Sequence, residues 1–151
     1  MSTGARVQFI RVDPTDQARM ASWIHHISRL TGVPVDAAPE HPVFVWQLTA
    51  ANHRVLGRGA VARGTVDEAK ADVDAIVATR DRLVARMVRL ESSRGYGWVL
   101  LDGRDAVLTS ARWYGMERDR RESLRSARLG LDMLADETER AVGLVAAKDR
   151  P

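Results

Sequence analysis

An internal correspondence constrains the folding of this chain more than any other feature. Trp46 and Trp98, Leu48 and Leu100, Val55 and Val107, and Leu56 and Leu108 all stand 52 residues apart, with no gap between the anchors. Four anchors at one offset read as a single unit used twice. In the first copy, Val43 to Thr49 reads as a strand with Phe44, Trp46 and Leu48 on one face. Ala51-Asn52-His53 reads as a turn, where Asn tolerates left-handed backbone, and Val55 to Val61 as the returning strand. In the second copy, Tyr96 to Leu101 is a strand, Asp102-Gly103 a hairpin turn and Asp105 to Arg112 its partner. A third short strand is expected near Arg112–Gly115.

A helix follows each hairpin. From Thr65, a plausible N-cap, apolar residues at helical spacing run from Val66 and Ala69 through Val73, Ile76, Leu83, Val84 and Met87 to Leu90, without proline or glycine. This predicts one long helix, broken at Ser92-Ser93-Arg94-Gly95. A last helix is expected from about Glu117, with Leu124, Ala127, Leu131 and Leu134 on one face and fraying near Gly143. Before the first copy, Arg6 to Val12 is β-like. A helix then starts at Asp13 as N-cap with Pro14 in its first turn, carries Met20, Trp23, Ile24, Ile27 and Leu30 as one stripe, and ends at Gly32. Pro34, Pro39 and Pro42 make Gly32–Pro42 a stiff linker. The chain therefore divides into an extension over 1–42, a first hairpin–helix unit over 43–92 and a second over 93–151. The fold class is α+β: two tandem β-hairpin–helix repeats with helices on one face of an antiparallel sheet, preceded by the N-terminal strand–helix extension.

The 151 residues are 45% hydrophobic and 28% charged, the composition of a globular domain. There is no cysteine, which excludes disulfides and thiol chemistry and fits a reducing cytoplasm, the expected location. The first 20 residues lack a signal-peptide core, and no apolar run approaches the roughly 18 residues of a membrane helix. Of the 23 basic residues all but Lys70 and Lys148 are arginine, so a net charge of +3 gives a sequence pI near 9.9. No segment is strongly basic, and charge alone does not identify a nucleic-acid binder.

The second copy, from Trp98 to Tyr114, resembles the YegP-like domains of unknown function, small bacterial and archaeal hairpin–helix units that often occur in tandem. The shared features are an aromatic at the strand start, a glycine turn, and a Ser followed by a Tyr, filled here by Trp98, Gly103, Ser110 and Tyr114. The first copy keeps Trp46, Asn52 and Val55-Leu56, but has Arg58 in place of Ser110 and Ala62 in place of Tyr114. The resemblance covers about residues 43–135. It implies the fold and a dimer, and no reaction.

A search for chemistry finds no constellation. His25 and His26 are adjacent on a helix and point about 100° apart, so they do not form the i, i+4 pair that grips a metal. Ser110 has no histidine in its own unit and reads as a strand-end hydrogen-bonding residue. Asp67-Glu68 and Asp72 with Asp74 complement a helix N-terminus. The sequence thus points to no enzyme, metal or cofactor. One pattern stands out: Arg118, Arg121, Arg125 and Arg128 fall within about 80° of arc on the last helix. Arg104, Arg112, Trp113 and Tyr114 precede them, so phosphates and bases are candidate ligands of this set. Glu117, Asp119 and Glu122 interleave and compete for the arginines. Leu129 and Met133 form a second apolar strip on that helix and are candidate dimer contacts. The expected function is a non-catalytic interaction or assembly module acting as a homodimer, with nucleic-acid binding through the arginine stripe as the alternative and no membrane association.

Overall fold

The computed structural model describes residues 4–32, 40–90 and 95–148, the helical backbone alone for 139–148. The fold is α+β, a six-stranded antiparallel sheet with helices on both faces. The order of elements is β1 (Arg6–Val12), α1 (Gln17–Thr31), β2 (Val43–Thr49), β3 (Val55–Gly59), α2 (Val66–Ala78), β4 (Val84–Leu90), β5 (Gly95–Asp102), β6 (Asp105–Thr109) and α3 (Glu117–Lys148). The strands lie in the order β1-β2-β3-β6-β5-β4, so two three-stranded meanders, the first interrupted by α1 between β1 and β2, meet where β3 pairs with β6 at Arg58↔Thr109 and Gly59↔Leu108.

The long helix expected from Thr65 to Leu90 is a correction. Thr65 does cap α2, its hydroxyl accepting from the Glu68 amide at 3.2 Å, but the helix ends at Ala78. Thr79 closes it, a 3-10 turn over Arg80–Arg82 follows, and Leu83 is buried as the chain turns into β4. Val84 to Leu90 then pair residue by residue with Leu101 to Gly95. Apolar positions in Val84-Ala85-Arg86-Met87-Val88-Arg89-Leu90 satisfy both periods, and the open edge of β5 decides between them. β4 is therefore the third strand of the second meander. Near Arg112–Gly115 there is only an isolated bridge between Tyr114 and Tyr96.

Smaller differences follow the same logic. The N-cap of α1 is Asp16, whose carboxylate accepts from the Arg19 amide, while Asp13 and Pro14 form the turn before it. In the β2–β3 connection the left-handed residue is His53 (φ 68°), and Asn52 instead accepts from the Arg54 amide. The last helix, expected to fray near Gly143, has helical backbone as far as Lys148. Gly32 and Gly103 adopt the positive φ that a helix end and a tight hairpin require. The proline linker at Pro34 and Pro39 and the break at Ser92-Ser93-Arg94 lie outside the described residues.

The core has two layers, set by strand alternation. Trp46, Leu48, Leu56, Trp98, Leu100 and Leu108 point to one face and pack on α2 and α3 through Val73, Ile76, Ala127 and Leu131. On the other face Val12, Val43 and Val45 pack on Met20 of α1, with Ile10, Trp23 and Ile24 partly buried around them. A 15-residue helix rises about 22 Å, and five strand spacings total about 24 Å. α1 thus straps the sheet from β1 to β4, where the Arg86 guanidinium donates to the carbonyls of Leu30 (3.5 Å) and Thr31 (2.8 Å) at its C-terminus. Among the described residues, Trp23 Nε1 is the one buried side-chain nitrogen or oxygen without a hydrogen-bond partner.

The 52-residue offset holds on β2 and β5 and fails on the next strand. Leu48 pairs with Gly57 and Leu100 with Leu108, so Gly57 rather than Leu56 stands where Leu108 does. Likewise Arg58 matches Thr109, and Arg63, which bridges Phe44, matches Tyr114 in place of Ala62. The β2–β3 turn encloses three residues between Ala50 and Arg54, where the β5–β6 turn encloses two between Asp102 and Asp105, and this supplies the extra residue.

Candidate functional site

The stripe predicted on α3 exists as a surface. Arg118, Arg121 and Arg125 are exposed and, among the described residues, have no carboxylate within ion-pair distance. Arg128 is half-buried and spends its guanidinium on the Leu83 carbonyl at 3.1 Å, tying α3 to the start of β4. Glu117 pairs not with the stripe but with Arg120 at 3.3 Å. Together with Glu122, Leu124, Leu129 and Asp132, the four stripe arginines line a shallow hollow of about 710 Å³. Leu129 lies in it 51% exposed, whereas Met133 is half-buried and packs against the main core. The two proposed contact residues therefore part company: Leu129 is available to a partner and Met133 already has neighbours.

On the other flank of α3, Asp119, Glu122, Ser123 and Ser126 face Arg54, Arg58 and Arg112 across a cleft of about 510 Å³. Arg112 lies over the Tyr114 ring, 5.0 Å from its centroid, and Arg58 donates to the Ala111 carbonyl at 3.0 Å. The sequence reading missed Arg54 and Arg58 because β3 pairing, not local spacing, brings them beside α3. It also missed Arg120, which is only 8% exposed, donates to the Val88 carbonyl and stacks 5.1 Å from the Tyr96 centroid. Of the residues predicted to precede the stripe, Arg112 and Tyr114 do adjoin α3. Trp113 lies against Gly97, where an added Cβ would come within 3.0 Å of its ring, so it is a packing residue. Arg104 belongs to a different cavity, away from the stripe.

His26 and Ser110 sit where α1 meets the β6–α3 loop. The His26 Nε2–H donates to the Ser110 carbonyl at 2.9 Å, and the fully buried Ser110 Oγ accepts from the Trp98 amide. This is a structural joint, with His25 pointing elsewhere. Burial holds the His26 pKa below its ordinary value, the Ser110 hydrogen bond opposes that shift, and Arg58 and His25 add to it. The folded state thus favours neutral imidazole, and the unfolded chain takes up a proton first as pH falls. Stability from this joint is complete above the unfolded value of about 6.5 and drains away as pH falls toward the lower folded value. Urea midpoints measured from pH 7.5 to 5 should fall in that window, and His26→Gln, which retains a donor without titrating, should flatten the fall. An equal slope in both proteins would refute the assignment. Among the described residues no three His, Asp or Glu side chains stand together as a metal site.

No protein-family model matches the chain, and no curated protein does. Among solved structures, the chain is similar to the solution NMR structure of YegP from E. coli, a protein of unknown function, at 12% identity and a TM-score of 0.48 over 59% of this chain and 76% of that one.

Proposed function

We propose that this protein is a non-catalytic interaction module, one meander–helix unit used twice in the manner of YegP-like domains, that works as a homodimer through the outer face of α3. The observation that carries the reading is Leu129, half-exposed amid guanidiniums on an uncovered helix face. That face is net positive but carries both signs of charge. Setting two copies of α3 antiparallel about Arg125 brings Arg118 beside the partner's Asp132, a carboxylate that Arg80 of its own chain already holds at 2.9 Å, and Glu122 beside the partner's Arg128, whose guanidinium also donates to the Leu83 carbonyl, with Arg121 over the partner's Leu129. The like-charge contact left is Arg125 against its own copy, at the axis.

Light scattering across 1–100 µM protein tests this. The wild-type chain should dimerise, Leu129→Asp should remain monomeric, and Arg125→Leu should tighten the dimer about fivefold by removing the axial repulsion. A wild-type monomer throughout this range would sink the proposal. A second reading, nucleic-acid binding, is favoured by one observation: Arg118, Arg121 and Arg125 lack carboxylate partners among the described residues. It requires that a single-stranded oligonucleotide added to the same samples bind in a salt-sensitive way, and that reversing these three charges flatten the salt dependence by about one phosphate contact per arginine.

A further inference from the structure

A cavity of about 590 Å³ opens where α1, α2 and the β5–β6 hairpin come together beside the end of β3. That volume lies inside the roughly 300–1,000 Å³ range of small-molecule sites. Ile27, Trp46, Val61, Ile76 and Val107 make its wall largely apolar. Its charges cancel: Arg63 holds Asp72 through two hydrogen bonds of 2.7 and 3.0 Å, Asp102 is held by Arg82, and Arg104 and Asp105 contribute one charge of each sign.

The polar feature that remains is an indole N–H. On β5, Trp98 Nε1 donates to Ser123 Oγ, the seventh residue of α3, at 3.0 Å. Trp46 holds the matching place on β2, but the seventh residue of α2 is Asp72, turned away onto Arg63. Trp46 Nε1 therefore has no acceptor among the described residues. It is not sealed in either, since Trp23 carries the buried nitrogen without a partner. The Trp46 indole lies flat over Gly59, where any Cβ would fall 2.2 Å from Nε1. The backbone has been cleared for this ring, and its donor, on a side chain only 2% exposed, is left unpaired among the described residues and not wholly covered at the cavity wall.

We propose that this cavity binds an uncharged, flat, mostly apolar small molecule whose carbonyl-type oxygen accepts the Trp46 N–H. The site is separate from the α3 face, so its test does not depend on the dimer.

The test uses the full chain with 15N-labelled tryptophan, whose four indoles give four N–H signals, the Trp46 signal being assigned by its loss in Trp46→Phe. Acetophenone, an aromatic ring with one carbonyl, should shift the Trp46 signal downfield and saturably, at concentrations on the order of millimolar. Ethylbenzene, which lacks the acceptor, should bind about fivefold more weakly, the worth of one hydrogen bond. Benzoate should gain nothing from its charge. Ala75 is exposed on α2 and lines the cavity, so Ala75→Phe should abolish the shift while the other indole signals stay in place as proof of folding. Absence of a saturable shift, a shift that survives Ala75→Phe, or tighter binding of benzoate than of acetophenone would each overturn the proposal.

Discussion

Replacing Trp98 with alanine is expected to lower the free energy of unfolding by about 3–5 kcal/mol. Trp98 is fully buried at the centre of the larger core layer, among Leu100, Leu108, Ala127 and Leu131. It also makes two hydrogen bonds: its amide donates to Ser110 Oγ just beyond β6 at 3.3 Å, and its indole ties the sheet to α3 by donating to Ser123 Oγ at 3.0 Å. Truncation removes the ring, opens a cavity between β5 and α3, and leaves the Ser123 hydroxyl without its donor. Domains of this size hold about 5–15 kcal/mol in total, so the loss is a large share of stability. Urea denaturation with an unchanged slope would register it as a stability change rather than a change in the unfolded state. The phenylalanine variants separate the two contributions. Trp98→Phe forfeits the Ser123 hydrogen bond, worth about 1 kcal/mol, and Trp46→Phe forfeits none. If the two Phe variants cost the same, the distinction drawn between these tryptophans is wrong.

That distinction marks the boundary of what the sequence displays. Trp46 with Trp98 and Leu48 with Leu100 are visible at once, because a pleated strand repeats every second residue and a glycine marks the hairpin, although the two-residue loop is Gly103-Arg104, one residue beyond the expected Asp102-Gly103, with Asp102 paired to Asp105. The caps at Thr65 and Gly32 are legible for the same local reason. Features that depend on distant partners are not. The Val84–Leu90 segment becomes a strand only because β5 presents an edge to it, and nothing in its spacing excludes a helix. The one-residue slip between β3 and β6 depends on the longer β2–β3 connection, invisible until the registers are known. The candidate sites follow suit. The α3 arginines are a helical pattern and were found. Arg54 and Arg58, across the cleft, and Asp72, which leaves Trp46 without an acceptor, are placed by sheet pairing and by the Arg63 ion pair.

Gly59→Ala should be the most disruptive small substitution outside the tryptophans. The new Cβ would sit 2.2 Å from Trp46 Nε1 and 2.6 Å from two ring carbons, closer than real contacts allow. At Gly97 the nearest neighbour is the terminal methyl of Leu30, which can rotate aside, but an indole pressed between strand and core moves only as a rigid plate. Trp46 is 2% exposed and has little room to retreat except into the cavity it lines. Overpacking of this kind costs about 1–3 kcal/mol, and the rigid ring puts Gly59→Ala at the upper end. A double-mutant cycle isolates the cause. In Trp46→Phe the narrower ring withdraws from Gly59, so adding Gly59→Ala there should cost about 1 kcal/mol less than in the wild-type chain. Additive losses would mean that alanine strains the β3 backbone itself and that the indole is not what requires glycine. A large coupling would establish that position 59 is glycine for the sake of Trp46, and that where this ring rests decides both the packing of the first meander and the shape of the cavity beside it.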